Sequence, residues 1–155
     1  MQKLSALEIK EMFLAATNSP RRRYPKIIHK PGDQLNKVFN FLKSDTYMQP
    51  HLHPSKEKIE KMLVVQGKFA LLYFDDQGEV SDVIFMEKEK KEYVEVPPNT
   101  WHTYVMLTDN VLVYEEMLGV YNPDTWKELA KWAPSEKSEK SFNYLKELKQ
   151  KAEKF

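Results

Sequence analysis

Tyr47-Met48-Gln49-Pro50-His51-Leu52-His53 is the stretch that decides the fold, taken together with Glu60 and, further along, His102. Three of the chain's four histidines belong to this set. Side chains two apart on a β-strand point to the same face, so His51 and His53 project together. Two imidazoles joined by a third and by a carboxylate make a nitrogen-rich set suited to a divalent transition metal. Alone, a His-x-His on a strand is better read as a polar surface pair. Its neighbours in the sequence decide between the two.

Glu60 opens Glu60-Lys61-Met62-Leu63-Val64-Val65-Gln66-Gly67, and after a long interval comes Pro97-Pro98-Asn99-Thr100-Trp101-His102. This pair of segments resembles the two cupin motifs: His-x-His, Glu, six residues, Gly, and then Pro-x-Gly-x-x-His. The resemblance implies an all-β fold, the cupin double-stranded β-helix or jelly-roll barrel. It also implies one divalent metal ion, Fe, Mn, Ni or Zn, held inside the barrel by His51, His53, Glu60 and His102.

A narrower resemblance runs from about Thr17 to Pro134. Ser19-Pro20-Arg21-Arg22-Arg23, Pro50-His51-Leu52-His53-Pro54, Phe74-Asp75-Asp76-Gln77-Gly78 and Trp132-Ala133-Pro134, with the His102 segment, look like the WbuC family of cupin-fold metalloproteins. Members are often encoded near surface-polysaccharide genes, which implies a small polar ligand such as a sugar or sugar nucleotide. The family brings no assigned reaction with it.

The departures from the cupin pattern fall mostly in turns. Asp45, Lys91 and Asn99 stand where glycine is usual, and Met106 stands where the closing Asn would fall. Asp and Asn tolerate the left-handed conformations that glycine supplies. The interval from His53 to Glu60 is two residues longer than the motif expects. Glu57 would satisfy the short interval from the histidines, whereas Glu60 satisfies the interval to Gly67. Glu60 is preferred because it leads directly into the apolar run Met62–Val65, and Glu57 sits in the charged run Lys56-Glu57-Lys58.

A chain of 155 residues with 41% hydrophobic content is expected to form one domain with a real core. A formal net charge of +1 supplies no field for nucleic acid or an anionic membrane. The absence of cysteine excludes disulfides and thiolate metal sites and suits a reducing cytoplasm. Glu8, Lys10 and Glu11 within the first apolar stretch argue against a signal peptide. No apolar run approaches the roughly 20 residues that cross a bilayer.

Ser5-Ala6-Leu7-Glu8 reads as a capping box, followed by Ala6, Ile9, Phe13 and Ala16 at helical spacing and a stop at Asn18-Ser19-Pro20. Residues 1–20 are therefore expected to be a helix packed on the barrel, 21–120 the barrel, and 121–155 a helical extension. Three adjacent arginines cannot share one face. Arg21 and Arg23 are candidates for binding a substrate anion, against the plainer reading of solvated, ion-paired side chains. His29 and Tyr47 are further candidates for lining the ligand site.

Short apolar strands then alternate with turn signals, as in a β-sandwich or barrel. Gln66-Gly67-Lys68 and Thr108-Asp109-Asn110 read as hairpin turns, and Pro123–Leu129 as a short helical turn. Beyond Pro134, Ser138 is expected to cap a helix with Phe142, Leu145, Leu148 and Ala152 on one stripe. That stripe must dock on its own barrel or on a partner, and a homodimer is expected.

Acid–base candidates are Tyr47, Tyr104, Tyr114 and Glu115. Alternation from His102 turns Tyr104 into the barrel, where a tyrosine is more often core with its hydroxyl satisfied. Alternation from Val111 and Val113 turns Glu115, not Glu116, inward, where a carboxylate needs a partner. Three functions fit these residues: a metal-dependent enzyme of isomerase or epimerase type acting on a small polar molecule, a non-catalytic metal-stabilised binding or accessory module, and an iron-dependent dioxygenase. Metal identity separates the third from the others.

Overall fold

The computed structural model describes residues 3–155. Helix α1 (Ala6–Asn18) starts at the expected capping box, with Ser5 and Glu8 bonded reciprocally. The strands are β1 (Arg23–Ile27), β2 (Leu35–Lys43), β3 (His51–Leu52), β4 (Glu60–Gln66), β5 (Lys68–Phe74), β6 (Val80–Glu87), β7 (Tyr93–Val96), β8 (His102–Met106), β9 (Asn110–Leu118) and β10 (Glu128–Leu129), followed by helix α2 (Ser141–Ala152). Two five-stranded sheets face each other, in the orders β1-β2-β9-β4-β7 and β10-β3-β8-β5-β6. Every pairing is antiparallel. Among the described residues, no helix is long and apolar enough to cross a membrane.

Period-two alternation explains the layers. Leu42, Met62, Val64, Phe69, Leu71, Met106, Val111 and Val113 point between the sheets and form the central core. The opposite face of the first sheet carries Phe39, Phe41, Leu112 and Tyr114, which pack against Phe13 and Ala16 of α1. The opposite face of the second carries Ala70, Leu72 and Val105, covered by Leu145, Leu148 and Ala152 of α2. The α2 stripe therefore docks on its own barrel, and only Phe142, 56% exposed, is left out.

Three local expectations are corrected. The turns at Gly67 and at Thr108–Asn110 close no hairpins. Each carries the chain from one sheet to the other, because β4 and β9 belong to the first sheet and β5 and β8 to the second. The two corners lean on each other: the Lys68 N–H donates to Thr108 Oγ1 at 3.0 Å. Gly67 has φ +82°, and a Cβ there would strike the Asn110 carbonyl, so the corner requires glycine.

Residues 123–129 form no continuous helical segment, only one turn closed by the Thr125 N–H to the Asn122 carbonyl at 3.1 Å. Glu128–Leu129 become β10, paired with His51–Leu52 of β3, so the segment 121–155 supplies a strand as well as a helix. Tertiary hydrogen bonds override local propensity here: Ala130 N–H donates to the Pro50 carbonyl at 2.8 Å, and Gln49 Nε2 to the Ala130 carbonyl at 2.9 Å. Finally, α2 starts two residues later than expected, with Lys140 rather than Ser138 at the N-cap. Ser138 Oγ accepts from the Lys140 N–H in the preceding turn, and the N-cap Lys140 makes no side-chain cap.

Candidate metal centre

The segment before β3 is held at both ends. Met48 offers its carbonyl to Thr103 Oγ1 at 2.8 Å, and Gln49 and Pro50 are tied to Ala130 as above. His51 is thereby brought opposite His102 in the β3–β8 register. His53 follows immediately, with its carbonyl accepting from the Asn99 N–H at 3.1 Å. Asn99 adopts φ +55°, the left-handed conformation that lets it replace the motif's glycine. Glu60 is the first residue of β4 and points inward with Met62 and Val64.

His51, His53, Glu60 and His102 are buried together, and one ligand atom from each lies within 4.8 Å of those of the other three. Glu57 is exposed in the turn before β4. The orientation of the rings is set from behind. His51 Nδ1 faces the Gln49 carbonyl at 3.1 Å, His53 Nδ1 the Trp126 carbonyl at 2.8 Å, and His102 Nδ1 the Thr100 carbonyl at 2.8 Å. A carbonyl can only accept, so each Nδ1 carries a proton. That leaves each Nε2 free to point inward as a lone pair, the usual arrangement behind metal-bound histidines.

The electrostatics call for a cation. Burial, followed by the neighbouring His102, holds His51 well below the usual imidazole range, so it is neutral. Burial pushes the Glu60 carboxyl up, but hydrogen bonding and charge from His102 and His53 outweigh it and keep Glu60 ionised. Burial opposes protonation of His53, yet the Glu60 carboxylate outweighs burial and raises it. His53 Nε2 lies 3.5 Å from Glu60 Oε2. At that separation Glu60 acts through charge, and Nε2 is a buried atom with no hydrogen-bond partner. His102 Nε2 sits 2.9 Å from the same oxygen. A proton on one imidazole relieves only one of these contacts, whereas a divalent ion engages all four groups. The residues fit a metal.

Beside this cluster is a cavity of about 370 Å³. Tyr104 and Glu115 face it together, with Tyr104 Oη donating to Glu115 Oε1 at 2.7 Å. Burial, and then the Glu60 charge, push the Glu115 carboxyl up to about 8. Arg21, Arg23 and His29 also reach the cavity. Arg23 is buried, donating to Glu136 at 2.6 Å and to the Tyr47 carbonyl at 2.9 Å, while the more exposed Arg21 shares Glu136 at 3.1 Å. His29 Nδ1 accepts from the Lys37 N–H at 3.0 Å.

Tyr47 is not brought to this cavity. It faces the other side of the sheet, packing under α2 with its hydroxyl donating to the Pro134 carbonyl at 2.7 Å. Its neighbour Met48 packs in the central core, and Tyr47 points the opposite way. Tyr114 likewise faces α1, its hydroxyl bonded to Glu116 at 2.6 Å.

Sequence reasoning missed Asn36, Asn40, Trp126 and Lys127. The asparagines point inward from β2, whose aromatic residues Phe39 and Phe41 face α1 instead. An apolar-outward strand was the available signal. Trp126 and Lys127 lie in the segment read as a helical turn, and no local pattern places them.

A family model described as "Domain of unknown function (DUF6016)" matches residues 4–86, a span that contains His51, His53 and Glu60. No curated protein matches the chain. Among solved structures, the chain resembles an uncharacterized conserved protein with a double-stranded beta-helix domain from Klebsiella pneumoniae, at TM-score 0.59 and 10% identity over 84% of this chain and 99% of that one. It resembles oxalate oxidase in complex with the substrate analogue glycolate at TM-score 0.58 and 11% identity, over 74% of this chain and 58% of the other. It also resembles CapF with the inhibitor 3-isopropenyl-tropolone at TM-score 0.56 and 22% identity, covering 66% of this chain but only 30% of CapF. These likenesses show the fold, a cupin double-stranded β-helix.

Proposed function

We propose that this chain, which belongs to the DUF6016 family, is a metal-dependent cupin that binds and transforms a small polar molecule at His51, His53, Glu60 and His102. The observation that carries this reading is the common orientation of the three rings. Each Nδ1 is engaged by a backbone carbonyl, the Nε2 atoms of His53 and His102 face Glu60, and His51, His53 and Glu60 line an open cavity. A purely structural metal site would have no need of that opening.

When bound, the metal supplies Lewis-acid polarisation of a ligand oxygen. The chain's own contribution is to position and to exchange protons. Tyr104 and Glu115 offer a hydroxyl and a carboxyl in hydrogen-bond contact within the cavity. Burial, the largest influence on Glu115, raises its carboxyl above the usual carboxylate range, the direction that suits a general acid or base.

The narrower WbuC-like segments favour a sugar or sugar nucleotide from surface-polysaccharide metabolism as the ligand class. A cavity of about 370 Å³ has roughly the volume of a dozen waters in the liquid. That suits one sugar ring, so the nucleotide part of a larger ligand would extend outside. The test is thermal unfolding of metal-loaded and chelator-treated protein against a panel of monosaccharides and sugar acids. A ligand at about 100 times its Kd adds about 2.7 kcal/mol of stability to the state that binds it, so an upward shift restricted to the metal-loaded form is expected. A panel that shifts neither form overturns the sugar reading. A sugar that shifts both forms equally detaches the ligand from the metal.

A further inference from the structure

The segment between β9 and β10 approaches the cluster from above the cavity. The Trp126 carbonyl accepts from His53 Nδ1 at 2.8 Å, and Lys58 Nζ donates to the Thr125 carbonyl at 2.7 Å. This anchored backbone presents the next side chain, Lys127, to the same cavity as His51, His53 and Glu60. Arg21 and Arg23, the other cationic side chains lining it, both pair with the single carboxylate of Glu136. Among the described residues, Lys127 forms no ion pair. Burial is the largest influence on it and disfavours its charge, opposed from beyond ion-pair distance by the carboxylates of Glu136 and Glu60. An ammonium left partly buried without a partner is costly unless a ligand anion completes it.

A second incomplete group lines the same cavity. Asn36 is buried, and its Nδ2 donates to the carbonyls of Met117 and Gly119, which fixes the orientation of the amide. Its Oδ1 is left buried with no hydrogen-bond partner. An oxygen in that position requires a donor.

We propose that Lys127 and Asn36 recognise the ligand, and that the ligand is a small hydroxylated carboxylic acid, its carboxylate on the Lys127 ammonium and a hydroxyl donating to Asn36 Oδ1. This deepens the sugar reading above and rests on it for the site. One unmatched ammonium suits one carboxylate. A dianionic phosphate would bring a second negative charge towards the Glu60 carboxylate, where repulsion in a partly dry cavity is strong.

Calorimetric titration of metal-loaded protein with four probes tests it: gluconate, sorbitol (the hydroxyls without the carboxylate), hexanoate (the carboxylate without the hydroxyls) and inorganic phosphate. Gluconate is expected to bind best. Lys127→Met should weaken it by roughly tenfold or more, the usual range for losing a charge-assisted hydrogen bond, and Lys127→Arg should restore most of the loss. Gluconate binding equal in wild type and Lys127→Met overturns the proposal. So does equal binding of sorbitol or hexanoate, preferential binding of phosphate, or no gluconate binding by the wild type. Metal content measured on the same samples separates the two readings. Lys127-dependent gluconate binding by a wild type that takes up no metal would sink the metal centre and leave this subsite standing.

Discussion

Replacing His51 and His53 together with alanine is expected to take the protein from one bound divalent ion per chain to less than about a tenth of one. Two of four ligands are lost, which leaves only Glu60 and His102 of the converging group. Groups that merely stand behind metal ligands are typically worth 10–100-fold in affinity, and removing the ligands themselves costs more. The carboxylate gives a sharper ranking. Glu60→Gln should weaken metal binding by about a hundredfold, while Glu57→Gln should leave it unchanged, because Glu57 is exposed in the turn before β4. Equilibrium dialysis against a competing chelator measures both. A full equivalent retained by the double variant, or the reverse ranking of the two glutamates, would show that the four groups do not form the site.

Leu148→Ala should destabilise the protein by about 2–5 kcal/mol, as emptying a well-packed leucine position does. Leu148 is 1% exposed and packs with Leu72 and Val105 beneath α2. Phe142→Ala, on the same helix but 56% exposed, should change stability by no more than about 0.5 kcal/mol. Urea unfolding of the two variants checks the contrast. Equal losses would mean that α2 does not dock on the second sheet in the orientation described, and a large loss at Phe142 would point to a partner covering it.

The cluster of His51, His53, Glu60 and His102 was legible in the sequence because its determinants are local and repetitive. His-x-His on a strand fixes a shared face, and Glu60 is aimed by the Met62–Val64 alternation that follows it. The inward turn of Glu115 followed from Val111 and Val113 by the same rule. The capping box at Ser5 and Glu8 set the start of α1 because both partners lie within one helical turn. What could not be read was set by contacts distant in the chain. The corners at Gly67 and Thr108–Asn110 look like hairpin turns locally, and only the pairing of β4 with β9 and of β5 with β8 sends them between sheets. Lys127 and Trp126 reach the site through hydrogen bonds from Gln49 to Ala130 and from His53 to Trp126. Tyr47 lies in the irregular segment before β3, where contacts distant in the chain, with Pro134 and α2, set its direction.

The arrangement of three Nδ1 groups held by carbonyls, with Nε2 and Glu60 left facing inward, makes metal content the most direct measurement. Protein purified without a metal-affinity column and supplied in turn with Fe, Mn, Ni and Zn would be freed of loose metal and submitted to elemental analysis. One divalent transition-metal ion per chain is the predicted result. A small fraction of one per chain with every metal supplied would contradict the centre formed by His51, His53, Glu60 and His102.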